Sequence, residues 1–213
     1  MNNRRILVYG AGGHGKVIAD IVLSGNQHEL VGFIDDGKGL RGTRVLGVPV
    51  VGDGEWLHEH GRINDICIAL GVGDNRKRRE LAQKCTTWNL EIVTLVHPQS
   101  TVSSSAILGN GTVVMGGAVV NPQAKIGLGV IVNTGAIVEH DVEIGDYAHI
   151  SPNASLGGAS WAGPLVHMGI GSVLLPGVRV GAGSIIGAGA VVLKDLPADV
   201  VAVGVPAKIL RKA

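Results

Sequence analysis

TVVMGGAVVNPQAKIGLGVIV, residues 112–132, decides the fold. Val114, Val120, Ile126 and Val132 recur in it at intervals of six, and Thr112, Ala118, Ala124 and Val130 stand two places before them. The spacing runs on in both directions. Stepping by six from Val102 meets Leu108 before this stretch. After it come Val138, Ile144, Ile150, Leu156, Ala162, Met168, Leu174, Val180, Ile186 and Val192. Every member is aliphatic or Met except the smaller Ala162. Gly often follows directly, as at Gly109, Gly127, Gly145, Gly157, Gly163, Gly169, Gly181 and Gly187. Neither helical spacing nor simple alternation accounts for a period of six.

A fixed six-residue period with Gly at the corners marks a parallel β-helix. Each hexad supplies one short strand and one corner, and three hexads close a triangular coil. Coils stack at strand spacing, about 4.8 Å, and bury a continuous apolar column. Five coils of 18 residues fit between residues 102 and 191. Glycine at the corners is expected to supply positive φ without steric cost.

The 213 residues allow one large or two small domains. A net charge of +1 argues against binding nucleic acid or a membrane surface by bulk electrostatics. Cys67 and Cys85 lack metal or redox spacing and read as reduced thiols. No charged-then-apolar leader is visible, and no apolar run approaches the ~20 residues of a membrane span. A soluble cytoplasmic protein without a metal is expected.

Before the prism the pattern is β-α-β-α-β, which implies a small parallel sheet. Strands are expected at 6–9, 30–34, 65–70 and 92–96, with a short extended piece at 45–50. Helices are expected at 16–23, from 54 to 60, and at 76–86. Gly10, Gly12 and Gly15 fit the dinucleotide fingerprint, with Asp35 and Asp36 about 20 positions on. Glycines let backbone approach a phosphate, and the following helix N-terminus favours anions. Only half of a two-lobed Rossmann domain precedes the prism. A mononucleotide-sized ligand therefore fits better than NAD, and an NAD-dependent oxidoreductase is the rival reading. Gly71 should face the first Gly-rich loop across a crevice. His14 is placed to donate to a ligand or to cap the helix. The run Arg76-Lys77-Arg78-Arg79 reads mostly as a solvated face, with Arg76 or Lys77 within reach of an anion. The division is 1–98 for the sheet domain and 99–213 for the prism with its tail.

Three histidines interrupt the small-residue walls. His140 lies at a corner between Glu139 and Asp141. An imidazole beside a carboxylate is the usual general base near neutral pH. His149 follows nine residues later, on another side of the same prism, so a site using both would draw on two subunits. His167 lies one coil beyond His149 and is expected to pack at a subunit interface. A scaffold that merely trimerises is the non-enzymatic rival.

The hexads, the Asn133-Thr134-Gly135 run before Glu139-His140-Asp141, and the ending Val203-Gly204-Val205-Pro206-Ala207-Lys208 resemble the hexapeptide-repeat acyltransferases. With Gly12-Gly13-His14-Gly15 and Asp35-Asp36, the whole chain resembles the nucleotide-sugar N-acetyltransferases that modify 4-amino sugars. Bacillosamine-pathway and GDP-perosamine enzymes belong there, and sialic acid O-acetyltransferases are a related branch. The resemblance implies a left-handed β-helix, a homotrimer, and acetyl-CoA lying between adjacent prisms. It implies His140 as catalytic base supported by Asp141, and His149 in contact with the acetyl carbonyl. Gly12, Gly13, His14, Asp35, Asp36, Gly71 and Asn133 match the nucleotide-sugar site. Ile170, Ala188 and Gly158 match the CoA channel. The implied reaction is direct transfer to a sugar amine in glycan biosynthesis, with a sugar hydroxyl as the alternative acceptor. His167, where a bulky apolar residue would be equally familiar, departs from the pattern.

Overall fold

Apolar runs bounded by glycine or aspartate build the first unit. In the computed structural model, residues 4–25, 28–61 and 66–213 are described, and the chain divides into Met1–Pro98 and Gln99–Ala213. The first unit runs β1 (Arg4–Tyr9), α1 (Gly13–Ser24), β2 (His28–Ile34), β3 (Arg44–Val45), β4 (Val48–Gly52), α2 (Gly54–His60), β5 (Ile66–Leu70) and α3 (Asn75–Thr87). The sheet order is β3-β4-β2-β1-β5, parallel except for β3. β5 is buried throughout, as a strand covered on both faces requires. Asp65, the expected start of that strand, lies outside the described residues. The expected strand at 92–96 shortens to Leu95–Val96, with Ile92 making only an isolated bridge to Ile68.

Two helices begin on aspartate caps. Asp53 accepts from Trp56 N at 3.0 Å, and Asp74 accepts from Lys77 N at 2.8 Å. Helix α1 starts at Gly13, three residues ahead of the expected Lys16. Its first turn, Gly13-His14-Gly15, carries no apolar side chain, so periodicity is blind to it.

The second unit is a left-handed parallel β-helix. Sixteen two-residue strands recur every six residues from Thr101–Val102 to Val191–Val192. They pair in parallel at 18-residue offsets and form three walls. The second residue of each pair points inward, and Val114, Val132, Ile150, Leu156, Met168, Leu174 and Ile186 are fully buried. The residue two places earlier also reaches the core, as Ala118, Ala136, Ala154 and Ala190 show. Val200–Val203 and Lys208–Lys212 form an antiparallel pair after the last coil.

The corner glycines divide their labour differently from the expectation. From Leu108 to Ile186, positive φ falls three places after the inward residue, at Gly111, Gly117, Gly129, Gly135, Gly171, Gly177, Gly183 and Gly189. Gln123, Asp141, Tyr147, Asn153, Ala159 and Leu165 adopt it at the remaining corners. The glycine directly after the inward residue has ordinary φ and is required for space. A Cβ on Gly145 would lie 2.6 Å from Pro164 Cδ in the next coil. Among the described residues, no helix is long and apolar enough to cross a membrane.

Candidate active site

His140 projects from the edge between the first wall (Val119, Ile137, Ser155, Val173 facing out) and the second (Lys125, Glu143, Trp161, Arg179). Inward Val138 anchors the strand before it, and Ala159 N donates to His140 O at 2.9 Å. Asp141 takes the corner's left-handed conformation, φ +59. Aspartate tolerates this better than most residues. The side chains of His140 and Asp141 meet, with Nδ1 and Oδ2 2.8 Å apart. A carboxylate only accepts, so Nδ1–H donates and the lone pair resides on Nε2. Both side chains are more than half exposed, at 63% and 59%. Of the two flanking carboxylates, Asp141 is the one bonded to the ring.

The third wall carries a second polar group. Thr134 N donates to Asn133 Oδ1 at 2.8 Å, which turns Asn133 Nδ2 toward His149 Nε2 at 3.0 Å. The amide donates, so a neutral His149 holds its proton on the buried Nδ1. A carbonyl contact through Nε2–H would require Asn133 to turn away. The His149 and His167 rings lie 4.8 Å apart, and His167 Nε2 is 3.0 Å from Ser151 Oγ. His167 therefore bonds within its own wall. Exposed Ile170 and Ala188 stack on the neighbouring edge, where Gly189 N donates to Ile170 O at 2.8 Å. Asn133, His149, Ile170 and Ala188 thus share one side of the prism. Gly158 lies on a different edge of the chain, one coil from His140, beneath the imidazole.

In the first unit, Gly12 and Gly13 are exposed, with open space where a Cβ would stand. They form a side-chain-free rim at the N-terminus of α1. Gly71 does not face this loop across a crevice. It is buried against Gly10 and Gly15, and Gly71 N donates to Tyr9 O at 2.8 Å. Three glycines are needed because the two βα turns touch backbone to backbone. Asp35 accepts from Ala11 N at 2.7 Å and Gly37 N at 2.8 Å, tying the glycine loop to the end of β2. Asp36 accepts from Tyr9 Oη at 3.0 Å and Gly54 N at 2.8 Å. Each carboxylate has about four lone-pair positions, so both retain capacity for a ligand.

The N-cap of α1 is Gly12, which has no side chain to cap with, and His14 follows in the first turn. Burial, reinforced by the charge of Arg78, pushes its pKa down to about 4, so it is neutral at pH 7. Arg78 is the buried exception in a basic run that reads mostly as a solvated face. It is 1% exposed and donates to Val72 O, Gly73 O and Asn75 Oδ1 at 3.0–3.2 Å. A signal for it was present, because Arg78, Ala82 and Cys85 share the buried face of α3 at helical spacing. No cluster of three or more potential metal ligands occurs among the described residues.

Residues 5–85 match the family described as the PglD N-terminal domain. UDP-N-acetylbacillosamine N-acetyltransferase of Bacillus subtilis is 38% identical over 114 residues, 53% of this chain and 51% of that one. The chain thus matches about half the length of that relative. The acetyltransferase domain of PglB from Neisseria gonorrhoeae, solved with acetyl coenzyme A, superimposes with a TM-score of 0.93 at 39% identity. It covers 98% of this chain and 100% of that one. A His-to-Asn variant of perosamine N-acetyltransferase from Caulobacter crescentus, solved with CoA and GDP-perosamine, gives 0.90 at 37% identity, covering 98% and 97%.

Proposed function

Because the chain belongs to the hexapeptide-repeat nucleotide-sugar N-acetyltransferases, we propose that it acetylates the 4-amino group of a UDP- or GDP-linked amino sugar from acetyl-CoA. The observation that carries the chemistry is the His140–Asp141 pair at 2.8 Å on an exposed edge. With Nδ1–H donated to Asp141, Nε2 is free to take a proton. The sugar nitrogen attacks the thioester carbonyl, its proton passes to His140 Nε2, and CoA leaves as the thiolate. That thiolate recovers a proton from the imidazolium.

The first unit holds the nucleotide. The Gly12–Gly13 rim and the first N–H groups of α1 face a phosphate, neutral His14 offers a hydrogen bond, and Asp35 and Asp36 accept from sugar or base. Ile170 and Ala188 line the CoA channel, with Asn133 and His149 beside it. The assembly proposed is a homotrimer: His140 and the Ile170–Ala188 column lie on different edges of one chain, so a site that uses both draws on neighbouring copies. The outward residues support it: Val119, Ile137, Val173 and Val191 give the first wall an apolar face. The second wall instead carries the Lys125–Glu143 ion pair at 2.9 Å and Arg179 over Trp161 at 4.4 Å. Cys67 and Cys85 are unbridged and buried, which suits the reducing cytoplasm.

The test is CoA-thiol release from acetyl-CoA across a panel of UDP- and GDP-linked 4-amino sugars. One of them should turn over, and His140→Ala should lower kcat by ~10²–10⁴-fold while nucleotide-sugar Kd stays unchanged. Wild-type turnover in that variant removes the base assignment.

A further inference from the structure

Gly158 is a glycine that its backbone does not require. It is absent from the residues with positive φ. The same edge carries Pro122, His140 and Pro176 at 18-residue offsets, so side chains are accommodated there. Most ordinary-φ glycines of the prism press against the next coil's backbone, as Gly109, Gly145 and Gly181 do. Gly158 differs. The three atoms nearest to a Cβ at this position all belong to the His140 ring: Cε1 and Nε2 at 2.7 Å, Cδ2 at 3.3 Å.

The geometry points to Gly158 as a positioning residue, the seat that lets the imidazole of His140 lie across the next coil with Nε2 held in place. This role rests on the reading of His140 as the base. The ring is then fixed from two sides: Asp141 holds Nδ1, and the bare Cα of Gly158 supports the Nε2 edge. Rotation about either Cα–Cβ or Cβ–Cγ would disturb both contacts, so the two restraints act on the same ring orientation. An added methyl needs carbon contacts of about 3.5–4.0 Å, so the imidazole would have to move by on the order of 1 Å. A displacement of that size can cost ~10²-fold in rate. The N–H of residue 158 and the corner's backbone hydrogen bonds survive the substitution.

The experiment compares steady-state kinetics and thermal unfolding of wild type, Gly158→Ala, His140→Ala and the double variant. Gly158→Ala is expected to lose ~10²-fold in kcat with KM for both substrates held within about threefold, the pattern of a lost transition-state interaction. In the His140→Ala background the same methyl should change nothing, because no ring remains to displace. A Gly158→Ala protein that fails to fold while the double variant folds also supports the role. Three results overturn it: wild-type kcat in Gly158→Ala, an equal loss in both backgrounds, or failure of both Gly158→Ala proteins to fold. If His140→Ala is inactive and Gly158→Ala is not, the base stands and the seat falls. If His140→Ala is fully active, the base assignment falls and the seat with it.

Discussion

Lowering the pH from 7.5 to 5 should destabilise the first unit through His14, and the size of the effect follows from where the imidazole sits. In the unfolded chain the ring titrates near 6.5; in the fold, burial and then Arg78 hold it down to about 4. Between those values the unfolded state binds the extra proton and the folded state refuses it, so stability falls as pH falls. Linkage gives a loss of about 2 kcal/mol between pH 7.5 and pH 5 from this ring alone. His28, shifted the same way by burial and Arg4, adds to the trend. The contribution of His14 is isolated by comparing the chain with His14→Asn, which has nothing to protonate. Urea unfolding should be followed by tryptophan fluorescence in a Trp161→Phe background. Trp56 and Trp88, both in the first unit, are then the only indoles. His14→Asn should flatten the pH dependence by about 2 kcal/mol relative to the parent. Equal slopes for the two proteins would refute the claim that His14 is held neutral. So would a parent that grows more stable toward pH 5.

Two further predictions concern the prism. Ser172 is 0% exposed and its Oγ has no hydrogen-bond partner, in a register where Ala136, Ala154 and Ala190 occupy the equivalent places. Ser172→Ala should therefore raise the urea midpoint, by about 1 kcal/mol in stability; a loss would mean that the hydroxyl is satisfied. The two kinds of corner glycine should separate in the same assay. Gly177, at φ +72 with open space around it, should cost about 1 kcal/mol on conversion to Ala. Gly145, at ordinary φ but pressed on Pro164, should cost about 3 kcal/mol. The reverse ranking would sink the distinction between glycines needed for φ and glycines needed for room.

The period of six was legible because every coil repeats the same demand: one aliphatic side chain inward, one small residue two places before it. Which glycine served which purpose was not legible. Both corner positions are glycine-rich, and only the approach of the next coil tells space from torsion. In the first unit, Gly10, Gly15 and Gly71 could be picked out as turn glycines. That the turns touch rather than face each other depends on how closely β1 and β5 bring them. Arg78 was not singled out because a guanidinium in a basic run looks solvated. Its place on the Ala82–Cys85 face was the stronger signal, and the acceptors that justify burying it include the Val72 and Gly73 carbonyls, which no pattern reveals. His140 and Asp141 are neighbours, so their pairing was readable from order alone. The register also places residue 158 one coil from His140, but the direction in which the ring turns is a packing outcome.

The prism separates two sets of groups that the proposed chemistry would bring together. His140, Asp141 and Gly158 lie on the edge between the first and second walls. Asn133, His149, Ile170 and Ala188 lie on the third wall and its junction with the first. Within one chain a whole wall stands between the two sets, and short strands closed by tight corners cannot bend one toward the other. Under the proposed function, a thioester lying along Ile170 and Ala188 would meet the imidazole of a second copy. Stiffness that would be a handicap in a monomer becomes the means of alignment when copies pack side by side. In the proposed assembly, the inward column that keeps each wall flat would also fix the distance between a ring on one copy and a channel on the next. On this argument the apolar first wall and the His140 edge belong to one device. A charged residue at Ile137 or Val173 should abolish turnover by dissociating the copies while leaving nucleotide-sugar binding in the first unit intact. Turnover surviving in the separated chain would show that one prism is enough.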